Sequence, residues 1–120
     1  MELIKIINAR NVLDGLAEKE DMGAHLAYWM TKFIVKTKGE YEFYVSETRK
    51  IFGKFGNVKE DDTIVIPPDK ISAFNDAMEA LNKTDAEDPG IRFSLSEISS
   101  ELKLSMKQMY SLLDFIDEEN

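Results

Sequence analysis

The longest helical pattern in the chain runs from Gly23 to Gly56. It reads GAHLAYWMTKFIVKTKGEYEFYVSETRKIFGKFG and contains no proline. Apolar residues recur there mostly in steps of three, four or their sums, which is the period of one helix face. They are Leu26, Met30, Phe33, Tyr41, Tyr44, Ile51 and Phe55. A single helix of this length would span about 48 Å, so we predict that a long helix over 23–55 organises the rest of the chain.

The two ends and the middle of this helix carry local signals. Asp21 is placed to cap the N-terminus by accepting hydrogen bonds from the first free N–H groups. Gly56 can adopt a positive φ and so end the helix. The weakest point is Thr37-Lys38-Gly39, because glycine inside a helix costs about 1 kcal/mol relative to alanine. We expect a kink or a change of packing partner at that point.

A shorter helix is predicted over 68–82. Pro67-Pro68 stops the preceding segment and suits the first turn of a helix. One face then carries Ile71, Phe74, Met78 and Leu81. The simplest arrangement buries this face against the second half of the long helix, which gives an antiparallel helical hairpin.

Three short segments rich in β-branched and aromatic residues are predicted as strands of one small sheet. They are 2–7, 62–66 and 91–93. Asn8 is then expected to cap a short helix that runs to Leu16. Two C-terminal helices are predicted over 95–102 and 106–117, each starting at a serine with capping-box spacing. The expected fold is a single α+β domain over 1–120, mainly α.

The composition restricts the classes of partner. The 120 residues include 23 acidic and 15 basic side chains, a formal net charge of −8. This charge disfavours direct binding to nucleic-acid phosphates and to an anionic membrane surface. The chain has no cysteine, and its apolar runs are far shorter than the roughly 20 residues that span a bilayer. The N-terminal residues MELIKIINAR lack a signal-peptide pattern.

No group of residues has the pattern of an active site. His25 is the only histidine, and Asp21 lies four residues before it on the predicted helix. One histidine and one carboxylate rarely hold a metal without further ligands. The acidic clusters lie beside turn residues or at the C-terminus, which is typical of solvated surface. Phosphate-binding glycine loops and nucleophile elbows are absent from the sequence. We predict a protein that is not an enzyme and has no cofactor or metal.

The long helix carries more apolar residues than one partner helix can cover. The surplus is made up of Tyr28, Trp29, Tyr41, Val45 and Phe52. Either the other helices of the chain cover them, or they form a surface for self-association or for a partner protein. The acidic turn Glu60, Asp61 and Asp62 is the second candidate part of a partner surface.

The order of these signals resembles a group of short acidic proteins encoded by tailed bacteriophages and prophages. The resemblance covers about Leu13 to Glu119. It is carried by K-F-G, E-D-D-T-I-V-I-P-P-D-K, F-N-D-A-M-E-A-L, L-S-E-I and L-L-D-F-I-D-E-E. This chain departs from the usual pattern at Thr63, where the group commonly has glycine, and we expect a tighter turn there. The resemblance implies no catalytic residues.

The resemblance also implies a place of action, in the infected bacterial cytoplasm or in the virion. The first expectation is a non-enzymatic interaction protein with a role in particle assembly or an accessory role. An alternative is an inhibitor of a host defence or nucleic-acid-processing enzyme, whose acidic surface imitates phosphates. A third is a protein that sequesters a small nucleotide, for which the sequence offers only scattered basic residues. They are Lys32, Lys36, Arg49 and Arg92.

Overall fold

The computed structural model describes residues 1–118, which form a mainly helical α+β fold. Its α-helices are α1 Leu3–Gly15, α2 Ala24–Lys36, α3 Lys38–Phe55, α4 Ile71–Asn82, α5 Leu95–Glu101 and α6 Met106–Leu112. Its strands are β1 Asn57–Val58, β2 Ile64–Val65, β3 Phe93–Ser94 and β4 Ile116–Asp117. Single 3₁₀ turns, Pro68–Lys70 and Leu113–Phe115, precede α4 and follow α6.

The predicted strand over 2–7 is wrong, because helix α1 begins at Leu3, and only Glu2 is extended, in a single antiparallel bridge with Asp85. Asn8 therefore lies inside a helix and caps nothing. The buried residues of α1 follow a helical period and include Leu3, Ile6, Ile7, Arg10 and Leu13. A six-residue window is too short to show that period, and the β preference of isoleucine reflects burial on a pleated surface more than the backbone itself.

Helix α1 is the central element of the fold. It contacts α2, α3, α4 and α6, so apolar residues are needed on more than one of its faces. The main core cluster lies between α1, α2 and the C-terminal elements. At its centre the ring of Phe33 meets the rings of Phe93 and Phe115, with centroids 6.0 and 4.9 Å away. A second, smaller cluster joins Leu3 and Ile7 to Leu81 on α4.

The predicted long helix is divided in two at Thr37, the weak point that the sequence indicated. The backbone of Thr37 has φ −100° and ψ 11°. The N–H groups of Thr37 and Tyr41 still donate four residues back, to Phe33 and Thr37. Helix α2 therefore belongs to the main core, whereas α3 leaves it.

Helices α3 and α4 form the predicted antiparallel hairpin. The ring of Phe52, near the end of α3, packs on Phe74, near the start of α4, with centroids 5.1 Å apart. At the other end of the pair, the Tyr44 hydroxyl donates to the side-chain oxygen of Asn82 at 2.8 Å. Pro67 and Pro68 precede α4 as expected.

The predicted three-stranded sheet is not present within residues 1–118. Strand β2 pairs antiparallel with β1, in a hairpin between α3 and α4. Strand β3 pairs parallel with β4, so that buried Phe93 lies beside buried Ile116. Because the first predicted strand is helical, it cannot join the other two in one sheet. Each of those two pairs with a separate partner, β1 or β4.

The last predicted helix, 106–117, ends early, at Leu112. Ile116 and Asp117 are extended instead, because pairing with β3 brings Ile116 into the core. The capping box at Ser105 and Gln108 is complete, with bonds of 2.9 and 3.1 Å. Ser94 accepts from the N–H of Glu97 at 3.4 Å.

The predicted causes of two helix ends, the start of α2 and the end of α3, are wrong. Asp21 does not cap α2; it pairs with Lys19 at 3.1 Å. The Glu101 carboxylate from α5 instead accepts from the N–H of Gly23 at 2.6 Å. Gly56 has φ −99°, so a positive φ is not its role.

Candidate interaction surface

Residues 38–82, from the start of α3 to the end of α4, form a segment that we call the arm; the remaining described residues form the head. Helix α3 has no buried residue in its 18 positions, and α4 has only Leu81. The Cα radius of gyration of the protein is 17.0 Å, against roughly 14 Å for a compact domain of this length. The arm is therefore a two-helix extension whose apolar seam is covered on one side only.

Several large apolar side chains of the arm face solvent. Three of them lie on the hairpin at its tip, and the others on α3 and α4. They are Phe43, Val58, Ile64, Val65 and Ile71. Gly56 allows the tip to close, because a Cβ there would collide with the Ile64 side chain and lie 2.7 Å from the Phe52 carbonyl oxygen.

The predicted acidic turn lies at this tip, and all three of its carboxylates are exposed. The Thr63 hydroxyl donates to Asp61 at 2.6 Å and the Thr63 N–H donates at 3.2 Å. These bonds hold the pKa of Asp61 below its ordinary value. Asp62 adopts a left-handed backbone, with φ 64°. Thr63 thus fixes the turn through its side chain, whereas a glycine would leave it looser.

The predicted surface residues of α3 have different environments. The Arg10 guanidinium lies over the Tyr41 ring, 4.6 Å from its centroid. Phe52 is half-buried against Phe74. Val45 is half-buried and shares a shallow concavity on one side of α3 with Tyr41 and Arg49. Tyr41 and Val45 therefore contribute to one surface, and Phe52 contributes mainly to the seam of the arm.

Tyr28 and Trp29 belong to the head. They make an edge-to-face contact with ring centroids 5.3 Å apart, and both remain exposed. The ammonium of Lys32 lies 5.9 Å from the centroid of the Tyr28 ring. The helices within residues 1–118 thus leave these two rings uncovered, on a different element from the α3 residues and the acidic turn.

A further exposed apolar stripe was missed in the sequence. Met106, Tyr110 and Leu113 are 91%, 79% and 51% exposed, at the spacing of one helix face. The last helix was predicted from the apolar residues Met109, Leu112, Leu113 and Ile116, but Leu113 lies on the solvent-facing side. Two apolar stripes on one helix were visible in the sequence, but nothing there told which stripe faces the core.

The polar groups considered for chemistry are paired in structural contacts. The Nδ1 atom of His25 lies 2.9 Å from each carboxylate oxygen of Glu97, within hydrogen-bond distance of both. Arg92 donates to Asp88 at 2.6 and 3.1 Å. Within residues 1–118, no three histidine or acidic side chains are grouped to hold a metal ion. A cleft of about 220 Å³ between α1 and α2 is lined mainly by apolar side chains, including Leu13, Leu16 and Met30.

Comparison with known proteins gives no family for this chain. No family model, curated protein or solved structure matches it. None of the described helices is both long and apolar enough to cross a membrane. The exposed surfaces of the arm and head are therefore the features of this chain that bear on its function.

Proposed function

We propose that this chain is a non-enzymatic protein–protein interaction protein that binds its partner through the arm. The observation that carries the proposal is the lack of any buried residue in α3. Tyr41, Tyr44 and Ile51 only line the smaller core cluster, and Phe43 and Val45 remain exposed and half-buried, respectively. A second protein that covers this surface removes apolar area from water, and each Å² removed contributes about 25 cal/mol of favourable free energy.

The energetics of the arm support this proposal. Two helices that share one apolar seam gain little from burial, and isolated helices of this length are marginal in water. The tip adds Val58, Ile64 and Val65, all exposed. Contiguous exposed apolar groups at the end of an extension are typical of a docking surface. The resemblance to phage proteins adds the context: a role in particle assembly or an accessory role, in the infected bacterium or in the virion.

The proposal is tested by affinity purification from phage-producing cells, followed by reconstitution with the purified partner. The double variant Val58→Ser/Val65→Ser changes only exposed side chains at the tip. It is expected to weaken the reconstituted complex at least tenfold, as exposed apolar contacts of an interface would. Met106→Ser, on the head, is the matched control and should bind normally. Full binding by the tip variant, or loss of binding by Met106→Ser, would contradict the proposal.

A second candidate is an acidic inhibitor of a host defence or nucleic-acid-processing enzyme. The observation that favours it is the exposed run Glu60, Asp61 and Asp62, held at the tip by Thr63. Three carboxylates on a projecting turn suit a basic channel that normally takes phosphates. Replacing all three with lysine should abolish binding to such an enzyme, and added salt should weaken the unmodified complex. Binding that ignores both changes would exclude phosphate mimicry by this turn.

A further inference from the structure

We infer that the arm pairs with the arm of a second copy, through antiparallel packing of α3 on α3. This inference rests on the proposed function and names a partner for its surface. Acidic and basic residues are distributed unevenly along α3. The first half of the helix, 38–46, has a net charge of −1, and the second half, 47–55, has a net charge of +2. The charged residues are Lys38, Glu40 and Glu42 in the first half, and Glu47, Arg49, Lys50 and Lys54 in the second. Two antiparallel copies place the acidic half of each beside the basic half of the other.

One side of α3 has the symmetry that such pairing requires. Glu42 and Arg49 are seven residues apart, two helical turns along the same side. Val45 lies between them and lines the same shallow concavity. A two-fold axis beside Val45 and Ser46 brings Glu42 of each copy to Arg49 of the other. This is the self-complementary contact of an isologous interface.

The charges on this side are available for an intermolecular pair. Among the described residues Arg49 has no carboxylate partner, and its side chain is exposed. Glu42 has only an exposed contact with Lys38 at 3.8 Å, and an ion pair of this kind contributes little. By contrast, Lys50 is paired with Glu47 at 3.0 Å. Arg49 can therefore pair with a carboxylate of a second copy without breaking an ion pair within the described part of its own chain.

The same axis gives the exposed tip a place to bind. It sets the end of α3, at Phe55 and Gly56, close to the junction of α2 and α3 in the second copy. Val35 is 66% exposed and lies in the last turn of α2, three residues before α3 begins. A stable dimer needs roughly 1,200–2,000 Å² of buried surface. Contacts between each tip and the opposing Val35 add to the area that the two α3 helices bury against each other.

The test uses the full chain and three variants, and measures the dimer dissociation constant by sedimentation equilibrium. Glu42→Arg and Arg49→Glu each place like charges at both symmetric contacts, and each should weaken the dimer about tenfold or more. The double variant Glu42→Arg/Arg49→Glu exchanges the two charges and should restore dimerisation. A mixture of the two single variants should form a heterodimer, since one then carries two cations and the other two anions at these positions.

Lys54→Glu is the matched control, because it makes the same charge change as Arg49→Glu in the same half of α3, but roughly 140° around the helix from Arg49. It lies away from the proposed contact and should leave the dimer intact. Circular dichroism checks that each variant keeps its helices. A chain that stays monomeric up to about 500 µM, a range in which even weak association is populated, overturns the inference. So does a double variant or a mixture that fails to recover. A monomer that still binds another protein through Val58 and Val65 would leave the proposed function standing and remove only the second copy as the partner.

Discussion

The Arg10 guanidinium donates a 2.6 Å hydrogen bond to the backbone carbonyl of Ile34. In an uninterrupted helix that carbonyl would accept from the N–H of Lys38. Arg10 also donates to the Thr37 hydroxyl at 3.1 Å, and its charge lies at the negative end of α2. One side chain on α1 therefore stabilises the point at which α2 ends and the arm begins.

Arg10→Met is expected to lower the free energy of unfolding by about 2 kcal/mol, because it removes the donor to the partly buried Ile34 carbonyl and to the buried Thr37 hydroxyl. Arg10→Lys keeps a cation and should lose less. Chemical denaturation monitored by circular dichroism measures both. Equal or higher stability of Arg10→Met would show that the cost of burying the guanidinium, whose Nε has no hydrogen-bond partner, equals or exceeds what its bonds contribute.

Gly56→Ala is expected to destabilise the protein by about 1–3 kcal/mol, as overpacking does. The added Cβ would collide with Ile64 and with the carbonyl of Phe52. Gly53→Ala is the matched control: a Cβ there meets nothing within 4 Å, and the gain in helix propensity should stabilise α3 by up to about 1 kcal/mol. Thermal unfolding of the two variants should shift in opposite directions. A shift of both in the same direction would contradict this account of the tip.

Phe74→Ala is expected to loosen the arm while the head stays folded. It removes the ring that packs on Phe52, in a pair of helices with almost no fully buried residue. Amide exchange should accelerate throughout 38–82, because the arm has little other packing to keep it closed. Phe33→Ala, at a site with no exposure, should instead destabilise the head by about 3–5 kcal/mol. Uniform acceleration in Phe74→Ala would show that arm and head unfold together.

The pairing of Asp88 with Arg92 should make stability depend on acid pH. Hydrogen bonds from the Arg92 guanidinium, and then from the N–H of Gly90, lower the pKa of Asp88 from 3.8 to about 2. A depressed pKa means that the contribution is present above about pH 4 and is lost as the pH falls towards 2. The side chain is 42% exposed, so solvent screening limits the effect to roughly 1 kcal/mol.

Asp88→Asn is the variant that measures this contribution. It should be less stable than the unmodified chain at pH 6, and the difference should shrink between pH 4 and pH 2. The comparison is made by urea denaturation at each pH. Asp76→Asn provides a control for general loss of charge, since the Asp76 carboxylate is exposed and makes no ion pair within residues 1–118. A difference that stays constant down to pH 2 would mean that the carboxylate is not the source of the stabilisation.

Parts of the fold that depend on a long local pattern were predictable. The helical pattern over 24–55, its weak point at Thr37, and the pairing of α3 with α4 all follow from periodicity and one glycine. The capping box at Ser105 follows from spacing alone. In the candidate surface, the exposure of Tyr28, Trp29 and the acidic turn agrees with the surplus of apolar and acidic residues that the sequence shows.

Other parts depend on contacts between residues far apart in the chain. Asp21 has a suitable position to cap α2, yet the side-chain bond at this end comes from Glu101 on α5, which accepts from the N–H of Gly23 just before the helix. Glu97 has capping-box spacing from Ser94, yet its carboxylate bonds to His25 on α2. Each choice depends on where another helix packs, and no local window contains that information.

By itself the sequence determined the two helices of the hairpin, its acidic tip and the mainly α class, since these depend on residues within one or two helical turns. The tertiary structure decided that Leu3–Ile7 is helix, that the strands form two separate pairs and that Arg10 sets the start of the arm. The physical reason is that a short apolar segment takes the conformation that buries it best, and the surface that buries it comes from distant parts of the chain.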